Sequence, residues 1–432
     1  MKHLSEKPYA CAVEAAQYLR QAERPVRILR SVSWDAQIKR DFFCNDAQVL
    51  PKVSYAKFDA RITREYAQKA RDLAQGDHPV FAWLHRTANT LDVAASLLEN
   101  VGRKEFHAHS AILYGTPSKT LLDGSTKTVD LARHMDASLE GLDFDKLVLG
   151  GEEERLNPQE FATRLSRKLS HHFEGRAPTI EIVDNLSAKA LAGAKRIRIN
   201  ADATFTKLDV RQLLHHEALV HVATALNGRA QRNFPILGSA HAGTTEIQEG
   251  LAVFAEIISG AMDPVRFRRL VDRVIAINMS EEGADFIEVY RYFLARNNDA
   301  PQAYEDTRRV FRGGVITGGA PFTKDGVYLN GLLRVHNFMR TVIKLGRGDL
   351  IRLLFVGKLD LEDVPALASL AAQGKLTAPH ILPPWAKDMR FLVSYLAYSS
   401  FLNQVKLPGF QSYYQNLLAD VPDVWDLAVT AR

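Results

Sequence analysis

Between residues 207 and 228, KLDVRQLLHHEALVHVATALNG carries Leu213, Leu214, Leu219, Val220 and Val222 at helical recurrence, with Asp209 near its start and Gly228 at its end. The pattern predicts one long helix. Just upstream, TIEIVD (179–184) and KRIRIN (195–200) alternate apolar and polar residues with period two, as half-buried strands do. NPQEFATRLSRKLSHHFEG (157–175) reads as an amphipathic helix that Asn157 caps, Pro158 opens and Gly175 closes. A polar, glycine-punctuated loop, GRAQRNFPILGSAHAGTT (228–245), leads into a further helix, EIQEGLAVFAEIISG (246–260). The remainder is mainly helical, interrupted by the loop RGGVITGGAPFTKDG (312–326).

Upstream of residue 175, helical segments mix with short strand candidates, VRIL (26–29) and the alternating FHAHSAILYG (106–115). The expectation is an α+β chain, mostly helical. It divides into an N-terminal lobe (1–175) that contributes to a cleft and a second lobe (176–432) that carries the chemistry.

Composition narrows the class. The 432 residues are 46% hydrophobic and 24% charged, a globular balance, and no twenty-residue apolar run suggests a membrane span. A net charge of +5 from 55 basic and 50 acidic side chains is too small and too mixed to imply nucleic acid. Only Cys11 and Cys44 occur, and MKHLSEKPYA lacks the apolar stretch of a secretory signal, so a cytoplasmic setting with reduced thiols is expected.

The chemistry concentrates in HHEALVH (215–221). His216 and His221 lie five residues apart, which on a regular α-helix separates them by about 140°. A π-type turn of about 4.4 residues brings such a pair back to within about 50°, and such turns favour functional sites. The spacing therefore demands a widened helix if both residues are to hold one metal ion. Glu217 would then stand beside the metal, where a general base can deprotonate water. A third ligand is available in TTEIQEGLA (244–252), where Glu249 and Glu246 both qualify and Gly250 permits close backbone approach. Two histidines and a glutamate are the donor set of catalytic zinc, with the fourth position left to water.

HHEALVHVATALNG (215–228), TTEIQEGLAVFAE (244–256), VFRGG (310–314) and FTKDGVYLNGLLRVHNFMR (322–340) together resemble the QEGLA-motif proteins, bacterial relatives of the microtubule-associated tyrosine carboxypeptidases of eukaryotes. The resemblance runs in order from about residue 180 to 340 and diffusely upstream through LYGTP (113–117). It implies a zincin-like metallopeptidase fold with an HExxxH helix, zinc on His216, His221 and Glu249, and Glu217 as general base. More remotely the chain resembles gluzincins, whose third ligand sits in an NEGFA-like helix comparable to QEGLA. The eukaryotic relatives remove a C-terminal tyrosine from α-tubulin, a substrate to which nothing in these residues points.

A carboxypeptidase must neutralise a terminal carboxylate and stabilise an oxyanion, so cations and a phenol should face the zinc. Arg309 and Arg312 in TRRVFRGG, and Lys324 and Tyr328 in FTKDGVYLNG, are the candidates, with Tyr328 assigned to catalysis and Asp325 to holding a cation in place. His241 could reach the cleft, whereas His215 is read as surface or supporting. KRIRIN is expected to be an exposed edge strand, to which an extended peptide can pair or whose basic residues discourage aggregation. GGVITGG (313–319) lacks the ending of a phosphate loop and is read as a mobile cleft wall. Arg266, Arg268, Arg269 and Arg273 read as a solvated helix face.

The reading is a cytoplasmic zinc metallocarboxypeptidase acting on a peptide or protein C-terminal tail. One alternative is a regulatory or binding protein with a retained metal site, since the bacterial relatives are named for modulating flavohaemoglobin expression. Retention of Glu217 weighs against it. The other is an aminopeptidase, with Glu246 as anchor for a free amine.

Overall fold

The computed structural model describes residues 3–140, 142, 154–184, 186, 189–193, 195–402, 412–414 and 416–417. The described chain is mostly helical, with one three-stranded sheet of β1 (Thr179–Val183), β2 (Ala190–Ala192) and β3 (Arg196–Asn200) in the order β1-β3-β2. β1 runs parallel to β3, pairing Thr179 with Arg196, and β2 runs antiparallel to it, pairing Leu191 with Arg198.

KRIRIN is thus the central strand and not an edge. Ile197 and Ile199 are fully buried in a cluster with Leu214, Ala218 and Leu219 of the histidine segment, so the strand is held on both sides and beneath. The edge near the histidines is β2, whose three residues are too few for any alternation to register.

The helix expected over 157–175 forms as Pro158–Phe173. The Asn157 side chain accepts from the Glu160 N–H, while Glu160 reaches back to the Asn157 N–H, satisfying two orphan donors. Thr206 and Asp209 make the same reciprocal cap where the histidine run begins. The run is α-helical over Lys207–Gln212, π-helical over Leu213–Val222 and α-helical again over Ala223–Ala230.

Two expected strands are helices. FHAHSAILYG lies in the helix Lys104–Tyr114, where Phe106, Ser110 and Tyr114 form a buried stripe four residues apart that its apparent alternation obscures. VRIL straddles the start of a short helix, Ile28–Ser31.

The main core joins the helices Glu6–Glu23, Arg61–Leu73 and Pro79–Glu99 to Ala242–Ile258 and Val327–Lys344, from Leu4 to Leu396. Ala242–Ile258 and Val327–Lys344 cross at two glycines: a Cβ on Gly250 would lie 2.1 Å from the Gly331 carbonyl carbon, and one on Gly331 would lie 2.1 Å from the Glu246 oxygen. This contact seats the QEGLA helix.

GGVITGG is packed, not a cleft wall. Gly313 abuts Phe106 and Val32, and Gly318 abuts the Gly283 carbonyl, with both glycines at positive φ. The basic stretch also departs from a solvated face: on the helix Pro264–Glu281, Arg266 and Arg273 sit seven residues apart and turn inward, because buried carboxylate and ring partners await them. Arg269 is exposed. No helix among the described residues is long and apolar enough to cross a membrane.

Candidate metal centre and its cavity

The π-helical turn does what the five-residue spacing requires. It brings the His216 and His221 rings to 5.0 Å between centroids, at 80° to one another. Glu249, at mid-helix in Ala242–Ile258 because that helix begins before residue 246, presents one oxygen to both: Oε2 lies 3.6 Å from His216 Nε2 and 3.4 Å from His221 Nε2. One donor atom from each of the three residues falls within 4.8 Å of the others.

Donors at about 2.0–2.2 Å from a tetrahedral ion stand about 3.3–3.6 Å apart, so the two histidine–glutamate separations match the edges of a zinc site. Glu246, the rival ligand, is turned to Asn330 and to Arg334, whose Nη1 is 2.5 Å away.

The surrounding field also suits a cation. Burial alone would raise the Glu249 carboxyl, but Lys324 and the two histidines outweigh it and hold it well below the usual range. Burial would lower His216, yet the neighbouring carboxylates of Glu249 and Glu256 outweigh it and push it up to about 10. Three carboxylates crowd this imidazole: Glu249, Glu217 with Oε1 3.9 Å from Nε2, and Glu256 with Oε1 2.5 Å from Nδ1.

Sequence reasoning passed over Glu256. It is fully buried, accepts at Nδ1 of His216 and is gripped by Arg266, with Nε 2.6 Å from its Oε2 and Nη2 2.8 Å from its Oε1. A carboxylate on Nδ1 sets the tautomer that leaves Nε2 free as a donor to metal. Its signal was present, since Glu249 and Glu256 lie seven residues apart and so share a helix face.

Glu217, His221 and Glu249 line a cavity of about 540 Å³, together with His241, Gln248, Lys324 and Lys358. The segment Val26–Arg30 also lines it, and the β2 end adds Ala192 and Gly193. Burial pushes the His241 imidazole down to about 4, which leaves it neutral. Lys324 Nζ sits 3.5 Å from Glu249 Oε1.

Tyr328, Arg309 and Arg312 are not on the cavity lining. The Tyr328 ring is 5.0 Å from the Arg273 guanidinium and 5.6 Å from Lys324 Nζ. Asp325 holds Arg309 at 2.5 Å, and Arg312 lies over Phe322, pushed down to about 10 by burial and by Arg309. These groups form a basic layer behind Lys324. His215 faces a separate cavity beside Trp385 and Phe391, and burial pushes it down to about 4.

A sequence model of the microtubule-associated tyrosine carboxypeptidase family matches residues 40–404. The chain belongs to this family. The matched span includes the histidine segment, the QEGLA helix, the basic layer and Lys358, whereas Val26–Arg30 precedes it. No curated protein matches the chain in a sequence search. Carboxypeptidase-type activity on a protein C-terminal tail is what family membership implies.

Proposed function

We propose that this chain is a zinc-dependent, zincin-like metallocarboxypeptidase that removes the last residue of an exposed peptide tail, tyrosine being the first residue to test. The observation that carries the reading is the convergence of His216, His221 and Glu249 within 4.8 Å, in a cavity that also receives the Glu217 carboxylate.

A zinc ion on those three side chains would supply Lewis acidity to the scissile carbonyl and to the attacking water. Glu217 takes a proton from that water as its oxygen bonds to the carbonyl carbon. The same carboxylic acid then delivers the proton to the amine as the C–N bond breaks. Lys324 offers a cation to the developing oxyanion, with the Tyr328 ring and the Glu249 carboxylate beside its ammonium. Glu256 holds the His216 ring, and Arg266 holds Glu256.

The lining supports cleavage at a C-terminus. Besides Glu217 and Glu249, which the metal chemistry occupies, its charged members are Arg27, Arg30, Arg229, Lys324 and Lys358. Such a surface attracts a carboxylate and repels an amine. Glu246, the amine anchor an aminopeptidase would need, is committed to Arg334 and does not line the cavity.

The test is metal content and C-terminal residue release from a peptide library, for wild type and Glu217→Gln. One zinc per chain in both, with release lowered about 10²–10⁴-fold in the variant, is expected. Zinc in both with no release by wild type from any peptide would turn the reading toward a regulatory protein.

A further inference from the structure

Lys358 is 8% exposed and lines the same cavity as Glu217, His221 and Glu249. Its ammonium donates to Gln248 Oε1 at 2.9 Å and to Thr224 Oγ1 at 3.5 Å, both neutral acceptors. No carboxylate among the described residues forms a direct ion pair with it; the charges of Glu249 and Glu217 reach it only at longer range and do not offset its burial. Burying an ammonium without a directly paired counter-ion is costly, so a ligand that brings a negative charge against it is favoured.

Gln248 is in a matching position. It is 4% exposed and lines the cavity, its Oε1 accepts from Lys358 and Thr224, and its Nε2 has no hydrogen-bond partner among the described residues. The Lys358 ammonium, which can only donate, settles which end of the amide is oxygen. A buried cation and a buried, unspent N–H thus lie side by side, next in sequence to the candidate ligand Glu249.

Lys324 is the other buried lysine on the lining, but its ammonium already faces Glu249 Oε1 at 3.5 Å. A C-terminal residue spans about 3.3–3.6 Å along the chain, so the group that receives its carboxylate must sit close beside the metal ligands. Lys358 shares the cavity lining with Glu217, His221 and Glu249, and is near enough for the Glu249 and Glu217 charges to act on it.

We propose that Lys358 and Gln248 form the anion subsite that receives the free carboxylate of the substrate's terminal residue, Lys358 as counter-ion and Gln248 Nε2 as second donor. This rests on the carboxypeptidase reading. The subsite makes cleavage conditional on a free C-terminus, because an amidated end leaves the ammonium uncompensated.

The experiment uses the full, zinc-loaded chain as wild type, Lys358→Met, Lys358→Arg and Lys324→Met. Calorimetry measures binding of the N-acetyl derivative of the preferred residue as free acid and as amide, while zinc content, thermal melting and peptide kinetics are followed in parallel. Wild type is expected to bind the acid more tightly than the amide by about 30-fold or more, and Lys358→Met to lose that difference. Lys358→Met should also raise KM more than it lowers kcat, keep its zinc and melt at or above the wild-type temperature, with Lys358→Arg restoring part of the preference.

An acid preference that survives in Lys358→Met, or that disappears instead in Lys324→Met, overturns the assignment while the carboxypeptidase reading stands. So does equal weakening of acid and amide together with a lower melting temperature, which marks Lys358 as merely structural. Failure of wild type to release any terminal residue would overturn both.

Discussion

Nδ1 of His216 lies 2.5 Å from Oε1 of Glu256, a fully buried carboxylate that Arg266 grips at both oxygens. The pair ties the widened helix to the QEGLA helix seven residues beyond Glu249, so the ring's orientation is set from outside the donor set.

Glu256→Gln should therefore weaken zinc binding by about 10–100-fold while leaving the three donors intact, read by competition with a chelator. It also takes the carboxylate from Arg266, a half-buried cation, so a stability loss of about 1–3 kcal/mol is expected in denaturant unfolding. Saturating zinc should recover part of it. Unchanged zinc affinity would reduce the Glu256 contact to packing.

Gly250→Ala puts a methyl where the Gly331 carbonyl carbon would be 2.1 Å away. The helices must separate, at a cost of about 1–3 kcal/mol, and Glu249 moves with them. Both melting temperature and zinc affinity should fall. A drop in melting temperature alone would uncouple the crossing from the metal site.

Tyr328 and Lys324 should separate in kinetics. Tyr328 is not on the cavity lining, so Tyr328→Phe should keep kcat within about tenfold, whereas Lys324→Met, removing a cation at the cavity, should lower kcat by about 10²–10³-fold. A loss of that larger size in Tyr328→Phe would put the phenol on the oxyanion.

Burial, with Glu282 beside it, pushes the Glu281 carboxyl up to about 7. His107 Nε2 is 3.6 Å away. The folded state binds this proton more tightly than the unfolded chain, so the carboxyl costs stability above about pH 7 and nothing below its ordinary value of 4.5. Glu281→Gln should gain about 1 kcal/mol at pH 8, a figure held down because the carboxylate still meets water, and the gain should vanish by pH 4.5. A gain independent of pH would point to packing instead.

How far the sequence could be read depends on how local each feature is. The histidine spacing demanded a widened turn because ligand geometry and helical rise are both set within one segment, and Leu213–Val222 is π-helical. Phe106, Ser110 and Tyr114 misled because a stripe four residues apart, broken by small residues, mimics alternation over a short window. β3 was placed at the edge because strand order follows from a three-residue partner with no signal of its own.

The local pattern by itself determined β1, β3 and the helices from residue 157 to 260, the capped start of the histidine run and the donor types on offer, since propensity, capping and periodicity act within a few turns. The resemblance already named Glu249 over Glu246; only the tertiary structure decided that Glu246 is taken by Arg334, that Glu256 and Arg266 brace His216, and that Lys358 enters the cavity with neutral hydrogen-bond partners alone. Those outcomes depend on which faces meet when helices far apart in the chain pack together, and burial, not sequence spacing, chooses them.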